Sequence, residues 1–114
     1  KGGTKISEIM DMANSMATFA LSPDAGKAGA VFLERKYKIP AVLGPLPLGV
    51  HNTDKFVKKL SEITGKPIPE ELKNERGILI DAMADTLHYT MGRRFAVCGD
   101  PDIPAAATRF ACEL

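Results

Sequence analysis

Two aspartates on a predicted long helix are the side chains best suited to binding a metal ion. Asp81 and Asp85 are four residues apart, so both carboxylates project from one face of the helix, and His88 follows seven residues after Asp81. Carboxylate oxygens suit a hard divalent cation, but two ligands are too few, and further oxygens would have to come from another segment or chain. Because charged helical faces are common, the spacing alone favours a solvated face.

A second candidate is the turn formed by Gly99, Asp100, Pro101 and Asp102. It lies between a predicted parallel strand and a predicted helix, which is where α/β folds usually bind ligands. Two carboxylates would repel a phosphate there, and no glycine-rich phosphate-binding motif accompanies them. The turn is therefore interpreted as a helix cap, a position that aspartate favours.

The histidines and cysteines form no recognisable catalytic arrangement. His51 and His88 lack a cysteine or serine nucleophile at a known spacing, so each is interpreted as structural or exposed. Cys98 ends a predicted apolar strand and is expected to be buried, and Cys112 lies on the last predicted helix. Two cysteines are too few for a disulfide scaffold or an iron–sulfur cluster, which favours a reducing compartment, the cytoplasm. We predict no catalytic and no cofactor-binding residue.

Hydrophobic periodicity and turn residues predict alternating helices and strands. Helices are expected over residues 5–14, from Pro23 behind a Ser22 cap to about Lys36, from an Asn52 or Thr53 cap to Gly65, from Pro69 to Gly92, and after the turn at 99–102. Strands are expected over residues 17–21, 39–44 and 93–98. In the second helix, a face of small side chains with Ala25, Ala28, Gly29 and Phe32 is predicted to lie against the sheet. The alternation implies crossover connections and a parallel sheet, so the fold class is α/β.

Composition excludes several classes of function. Of the 114 residues, 45% are hydrophobic and 25% charged, with 15 Lys and Arg against 14 Asp and Glu. A formal charge of +1 gives no strong field for a nucleic acid or an anionic lipid surface, and no local basic patch is present. No apolar run approaches the roughly 18 residues that span a bilayer. We therefore expect no nucleic-acid partner and no membrane.

Seven runs of the sequence share their order and spacing with one protein family. They are residues 2–4 (GGT), 11–15 (DMANS), 52–56 (NTDKF), 60–72 (LSEITGKPIPEEL), 75–77 (ERG) with Asp81 and Asp85, 92–97 (GRRFAV) and 99–102 (GDPD). Together they resemble the middle of nitrogenase component 1 β subunits, which include the β chains of the molybdenum-iron, vanadium-iron and iron-only proteins. The match covers essentially the whole chain, and its most specific part extends from Glu75 to Asp102.

The resemblance implies an α2β2 enzyme that reduces dinitrogen to ammonia with electrons from a separate ATP-hydrolysing iron protein. Its partners would be the α subunit, a second β subunit and the iron protein. The β-side cysteines of the iron–sulfur P-cluster would lie N-terminal to this segment, and neither Cys98 nor Cys112 matches one of them. The cofactor that binds substrate would lie in the α subunit. The segment alone is not expected to be active.

The resemblance also implies a role for the aspartate pair. In the molybdenum-type family, the two aspartates that match Asp81 and Asp85 contribute to a cation site between two β subunits, completed by groups of the partner's N-terminal region. A structural Ca or Fe ion at the β–β interface is therefore expected here, and this expectation outweighs the solvated face that the spacing alone favours.

Domain organisation and subtype complete these expectations. Residues 1–92 are expected to be the end of one α/β domain with its connecting helices, and residues 93–114 the first strand and helix of the next Rossmann-like domain, in an incomplete domain of a larger subunit. The alternative function is a paralogous scaffold that assembles the nitrogenase cofactor without reducing dinitrogen, which the retained segment from Glu75 to Asp102 disfavours. A free-standing nucleotide-binding module is disfavoured by the missing glycine-rich turn. Asn52, which precedes Thr53 and Asp54, resembles the residue at this position in the vanadium and iron-only proteins more than the aromatic residue expected in the molybdenum proteins. One position leaves the subtype open.

Overall fold

Two short parallel strands organise the first part of the chain. The computed structural model describes residues 3–114 and divides into one unit that ends at Gly44 and a second, Pro45–Leu114. Residues 1–2, which include Gly2 of the GGT run, lie outside the described residues. Within residues 3–114, no helix is long and apolar enough to cross a membrane.

The first unit is a strand–helix–strand arrangement behind a short helix. Its elements are α1 (Ile6–Asp11), a 3₁₀ turn (Met12–Asn14), β1 (Thr18–Ala20), α2 (Pro23–Tyr37) and β2 (Ala41–Leu43). The strands are parallel, with Thr18 opposite Ala41, Phe19 opposite Val42 and Ala20 opposite Leu43. A parallel pair joined by a helix confirms the α/β class, because such strands need a crossover connection.

The beginning of α2 agrees with the sequence-based prediction. The Ser22 hydroxyl accepts a hydrogen bond from the Ala25 N–H at 3.4 Å, and Pro23 occupies the first helical position. These residues satisfy a backbone donor that would otherwise lack a partner, and proline supplies the helical φ angle in advance. The helix ends where Lys38 adopts a left-handed conformation with φ 60°.

The face of α2 that meets the strands differs from the predicted one. A Cβ atom on Gly26 would lie 3.2 Å from the Ala20 Cβ, and Ala30 is buried. By contrast, Phe32 is 56% exposed, and a Cβ on Gly29 would have no neighbour within 4 Å. The predicted face was wrong because small residues occur all round this helix, so composition does not select one face. The missing side chain of Gly26 allows the helix to approach β1.

The second unit, Pro45–Leu114, is helical. It contains α3 (Gly49–Thr64), α4 (Glu70–Thr90) and α5 (Asp102–Ala111). Helices α3 and α5 pack together, and Asn52 and Ala106 are buried there. Helix α4 has no buried residue, and large apolar side chains along it remain exposed, among them Leu72, Ile78, Leu79, Ile80 and Leu87. The described part of the chain therefore leaves the apolar side chains of α4 uncovered.

Helix α3 begins earlier than predicted, at Gly49. Neither Asn52 nor Thr53 is the cap: both lie inside the helix and bond back to the preceding loop. The Asn52 Nδ2 donates to the Leu46 carbonyl at 3.2 Å, and the Thr53 hydroxyl donates to the Pro47 carbonyl at 3.2 Å. These side chains hold the proline-containing loop against the helix. The end of α3 at Gly65, which has φ 66°, agrees with the prediction.

Residues 93–98 form no strand within the described part of the chain, in contrast to the predicted buried strand. Every one of them is exposed, including Cys98, which was predicted to be buried. A strand requires a neighbour that completes its hydrogen-bond ladder, and the sheet formed by the described residues consists of β1 and β2. The local sequence therefore favours a strand that has no partner within residues 3–114.

Candidate functional site

The aspartate pair lies on the exposed surface of α4. Asp81 and Asp85 are both exposed and occupy positions one helical turn apart on the same face. Within residues 3–114, no group of three or more His, Cys, Asp or Glu side chains is placed to hold a metal ion. The two carboxylates can therefore supply part of an oxygen ligand set for a hard cation, with the remaining ligands coming from elsewhere.

Large apolar side chains flank this acidic face. Ile78 and Tyr89 are each 69% exposed, and the Tyr89 ring centroid lies 3.8 Å from that of His88, with the two rings tilted by 41°. At 100° per residue, Ile78 and Tyr89 lie next to the face that carries Asp81 and Asp85. Carboxylates beside exposed aliphatic and aromatic groups are more typical of a surface that is covered by protein than of a solvated helix face.

An ion pair that the sequence analysis did not identify connects α3 to α4. Two nitrogens of the Arg76 guanidinium donate hydrogen bonds to the Asp54 carboxylate, Nε to Oδ1 at 2.7 Å and Nη2 to Oδ2 at 2.8 Å. Hydrogen bonding to Arg76 lowers the pKa of Asp54, and burial opposes this effect. The same hydrogen bond raises the pKa of Arg76. Two parallel bonds fix the orientation of the pair as well as its distance.

A second long-range contact caps the first turn of α3. The Glu113 carboxylate accepts hydrogen bonds from the N–H groups of Val50 at 2.7 Å and His51 at 3.1 Å. Gly49 has φ 80°, and a Cβ atom on it would lie 2.9 Å from both Glu113 Oε2 and Phe110 Cδ2. A negative charge at this end of the helix also interacts favourably with the helix dipole. Glu113 thus has the capping role that the sequence suggested for Asn52 or Thr53.

These two contacts border one open cleft of about 410 Å³. Its polar lining consists of His51, Asp54, Arg76 and Glu113, and its apolar lining includes Ile80, Met83 and Leu87. Asp54 and Glu113 are already engaged by Arg76 and by backbone N–H groups, so their arrangement orients helices. Opposite charges separated by 22 residues give no periodic signal, although Asp54 and Arg76 each lie in a run that resembles the family.

The turn at residues 99–102 differs in detail from its interpretation as an aspartate cap. Helix α5 begins at Asp102, and Pro101 occupies the capping position without a side-chain cap bond. The Asp100 carbonyl accepts from the Ile103 N–H at 3.0 Å. Aspartate was predicted at the cap from its side-chain chemistry, whereas the backbone carbonyl closes this turn.

Comparison with known proteins confirms the resemblance over the whole chain. The family model for nitrogenase component 1 type oxidoreductases matches residues 1–114. The nitrogenase iron-iron protein beta chain of Rhodobacter capsulatus is 43% identical over 99% of this chain and 25% of its own length. The nitrogenase molybdenum-iron protein beta chain of Methanococcus maripaludis is also 43% identical, over 100% of this chain and 25% of its own. Because the two identities are equal, identity does not assign a subtype.

A solved structure agrees with the fold. A chain described as nitrogenase Cp1 at pH 6.5 superposes with a TM-score of 0.93 at 43% identity, over 99% of this chain and 25% of that one. The chain thus spans about a quarter of the length of the relatives that it matches. On the match over residues 1–114 and the shared fold, the chain belongs to the nitrogenase component 1 type oxidoreductase family.

Proposed function

We propose that residues 1–114 are part of the β subunit of nitrogenase component 1, which reduces dinitrogen to ammonia in the cytoplasm. In this proposal the β subunit assembles with an α subunit and a second β subunit as α2β2, and electrons come from the ATP-hydrolysing iron protein. The observation that carries it is the family match over the whole chain, together with β chains of two metal types at 43% identity. The described segment contributes structure to that complex and no residue that contacts dinitrogen.

The alternative, a cofactor-assembly scaffold, is less well supported. The relatives compared above are named as nitrogenase beta chains, and the similarity extends through the segment from Glu75 to Asp102 that favours the enzyme. A scaffold would share the fold, so the distinction has to come from the activity of the complete protein.

The cysteines of this segment do not fit a P-cluster. There are two of them in 114 residues, both exposed, whereas an iron–sulfur cluster is held by several thiolates inside the protein. The proposed subunit would therefore hold its share of the cluster through residues outside this segment.

The aspartate pair fits part of a structural cation site. Asp81 and Asp85 offer oxygen atoms on one exposed helical face, and the neighbouring Ile78 and Tyr89 provide apolar area for a protein contact. We propose that the two carboxylates bind a Ca or Fe ion at the β–β interface, with further ligands from the second β subunit. The ion would neutralise carboxylates that would otherwise repel each other at the contact.

The proposed activity is tested with the complete β gene in a host that lacks its own β subunit. We expect the β chain to purify with the α subunit, to contain iron, and to form ammonia when iron protein and ATP are supplied. A protein that forms no ammonia but restores cofactor assembly to a scaffold-deficient host would contradict the proposal and identify the scaffold.

The cation site is tested in the same complex. Asp81→Asn combined with Asp85→Asn should lower the metal content by one ion per β subunit, and therefore by two per β–β interface, and should promote dissociation of the tetramer. Glu71→Gln, an exposed acidic position on the same helix, serves as the control and should change neither. Unchanged metal content in the double variant would refute the proposed site.

A further inference from the structure

Helix α4 is held to α3 at the ion pair between Asp54 and Arg76. Within residues 3–114, no residue of α4 is buried, so close packing does little to fix the position of this helix. Two open clefts lie beside the pair, one of about 410 Å³ and one of about 680 Å³, and both are lined by Asp54 and Arg76. The pair therefore bridges the two helices where their side chains leave open space.

The geometry of this pair fixes an orientation more than it adds stability. The side chains of Arg76 and Asp54 are 48% and 42% exposed, and an exposed ion pair contributes little to the free energy of unfolding. Its two hydrogen bonds, at 2.7 and 2.8 Å, join two guanidinium nitrogens to the two oxygens of one carboxylate. A single bond would let one helix turn about it, whereas two parallel bonds hold both direction and distance.

The aspartate pair lies on the opposite side of α4 from this contact. At 100° per residue, Asp81 and Asp85 lie about 140° and 180° around the helix from Arg76. Asp81 is also five residues beyond Arg76, which is a rise of about 7.5 Å along the helix axis. The contact with α3 thus turns the two carboxylates away from α3, and a rotation of α4 about its axis would swing both of them to a new direction.

A second contact holds the other end of α4 less strictly. The Thr90 hydroxyl lies 3.1 Å from the carbonyl oxygens of both Leu87 and Leu114. Because a hydroxyl has one proton to donate, the bond to Leu114 competes with a bond inside α4 itself. Of these two contacts, the ion pair between Asp54 and Arg76 is therefore the one that restricts rotation of the helix.

We propose that Asp54 and Arg76 are positioning residues for the cation site, because they hold α4 in the rotation at which the Asp81 and Asp85 carboxylates meet the ligands of the second β subunit. This inference rests on the cation site proposed above. Ligand groups bind well only when they are held within about 0.5 Å and 10 to 20° of the required geometry. The ion pair itself touches neither the cation nor its ligands, so its effect on binding is exerted through α4.

The direct effect of the Arg76 charge on cation binding has the opposite sign from its positioning effect. Because Arg76 is positively charged, removing it lowers the repulsion on a bound metal ion and strengthens binding. Loss of positioning weakens binding instead, and coupling of this kind typically changes an affinity by about 2- to 30-fold. The direction of the change in Arg76→Gln therefore separates the two effects.

Cation affinity is measured in the complete complex by anaerobic equilibrium dialysis, with Ca²⁺ and Fe²⁺ used separately as probes. Arg76→Gln should bind the cation about 2- to 30-fold more weakly than the unmodified complex and should still purify with the α subunit. Lys73→Gln is the matched control, since it removes another positive charge of α4 but breaks only a 2.7 Å bond to Glu70 of the same helix, and it should not weaken binding. Unchanged or tighter binding in Arg76→Gln, or equal weakening in Lys73→Gln, would overturn the proposal.

Arg76→Lys keeps the positive charge and tests the geometry even if the glutamine variant fails to assemble. A lysine ammonium cannot form the two parallel bonds, so this variant should bind the cation more weakly than the unmodified complex. An affinity equal to that of the unmodified complex would overturn the proposal.

The double variant with Asp81→Asn and Asp85→Asn separates this inference from the proposed cation site. If the double variant binds the cation as the unmodified complex does, the site itself is refuted, and the positioning role with it. If the double variant loses the cation while both Arg76 variants retain full affinity, only the positioning role is refuted.

Discussion

Replacing Gly49 by alanine should loosen the first turn of α3. The φ angle of 80° disfavours a residue with a Cβ, at about 1 kcal/mol. The new Cβ would also lie 2.9 Å from Glu113 Oε2 and from Phe110 Cδ2, so the carboxylate and the ring must both move. Displacing Glu113 removes the acceptor of the Val50 and His51 N–H groups, a loss comparable to that of a helix cap, about 1 to 2 kcal/mol. Together, these two effects should lower the free energy needed to open the first turn of α3 by about 2 to 3 kcal/mol.

Gly65→Ala is the matched control. Gly65 has φ 66°, but a Cβ there would have no neighbour within 4 Å. This variant should therefore cost only the backbone term of about 1 kcal/mol. The two glycines lie at opposite ends of the same helix, so the difference between their effects isolates the contact with Glu113 and Phe110.

Hydrogen exchange of the α3 amides in the complete protein measures both effects, since a local opening free energy does not require the whole protein to unfold in one step. At about 1.4 kcal/mol per tenfold change, Gly49→Ala should accelerate exchange by roughly 30- to 140-fold and Gly65→Ala by about fivefold. If both variants accelerate exchange equally, the close packing around Gly49 contributes no free energy and the reasoning is wrong.

Three further outcomes are expected in the complete protein. Arg76 lowers the pKa of Asp54, so the stability from this pair is present above the ordinary aspartate pKa of 3.8 and is lost as the pH falls through the lower folded pKa. In the Asp54→Asn variant, the hydrogen-exchange protection of the α4 amides should no longer show this loss in acid. Gly29→Ala should stabilise α2 by about 1 kcal/mol, because a Cβ there would meet no atom within 4 Å, and slower exchange of the α2 amides would show it. Gly26→Ala should stabilise α2 less, because its Cβ would lie 3.2 Å from a side chain of β1. Asn52→Leu should destabilise the loop before α3 by about 1 kcal/mol, because a buried side chain would no longer bond to a loop carbonyl, and faster exchange of residues 46–50 would show it.

Local chemistry was sufficient to predict the elements whose ends are set by neighbouring residues. Ser22 and Pro23 start α2 where expected, and Gly65 ends α3, because each end depends on groups a few residues away. The parallel pairing of β1 with β2 followed from the order of short apolar runs around a helix.

Features that depend on distant residues could not be predicted in this way. The start of α3 is set by Glu113, which is 63 residues from Val50, and no local pattern identifies so distant an acceptor. The pairing of Asp54 with Arg76 is equally invisible to periodicity. The strand predicted at residues 93–98 shows the converse: the local pattern favours a strand, but pairing depends on a partner that the described residues do not contain.

The position of Glu113 has a consequence for the order of folding during synthesis. The ribosome adds about 5 to 20 residues per second, so the 63 residues between Val50 and Glu113 take roughly 3 to 13 s to appear. Helices form in about a microsecond, so α3 can form and fray many times before its capping carboxylate has been synthesised. During this interval its first turn is open to competing contacts and to proteases, and the nascent chain stays exposed there until Glu113, which follows the end of α5 at Ala111, has emerged from the ribosome.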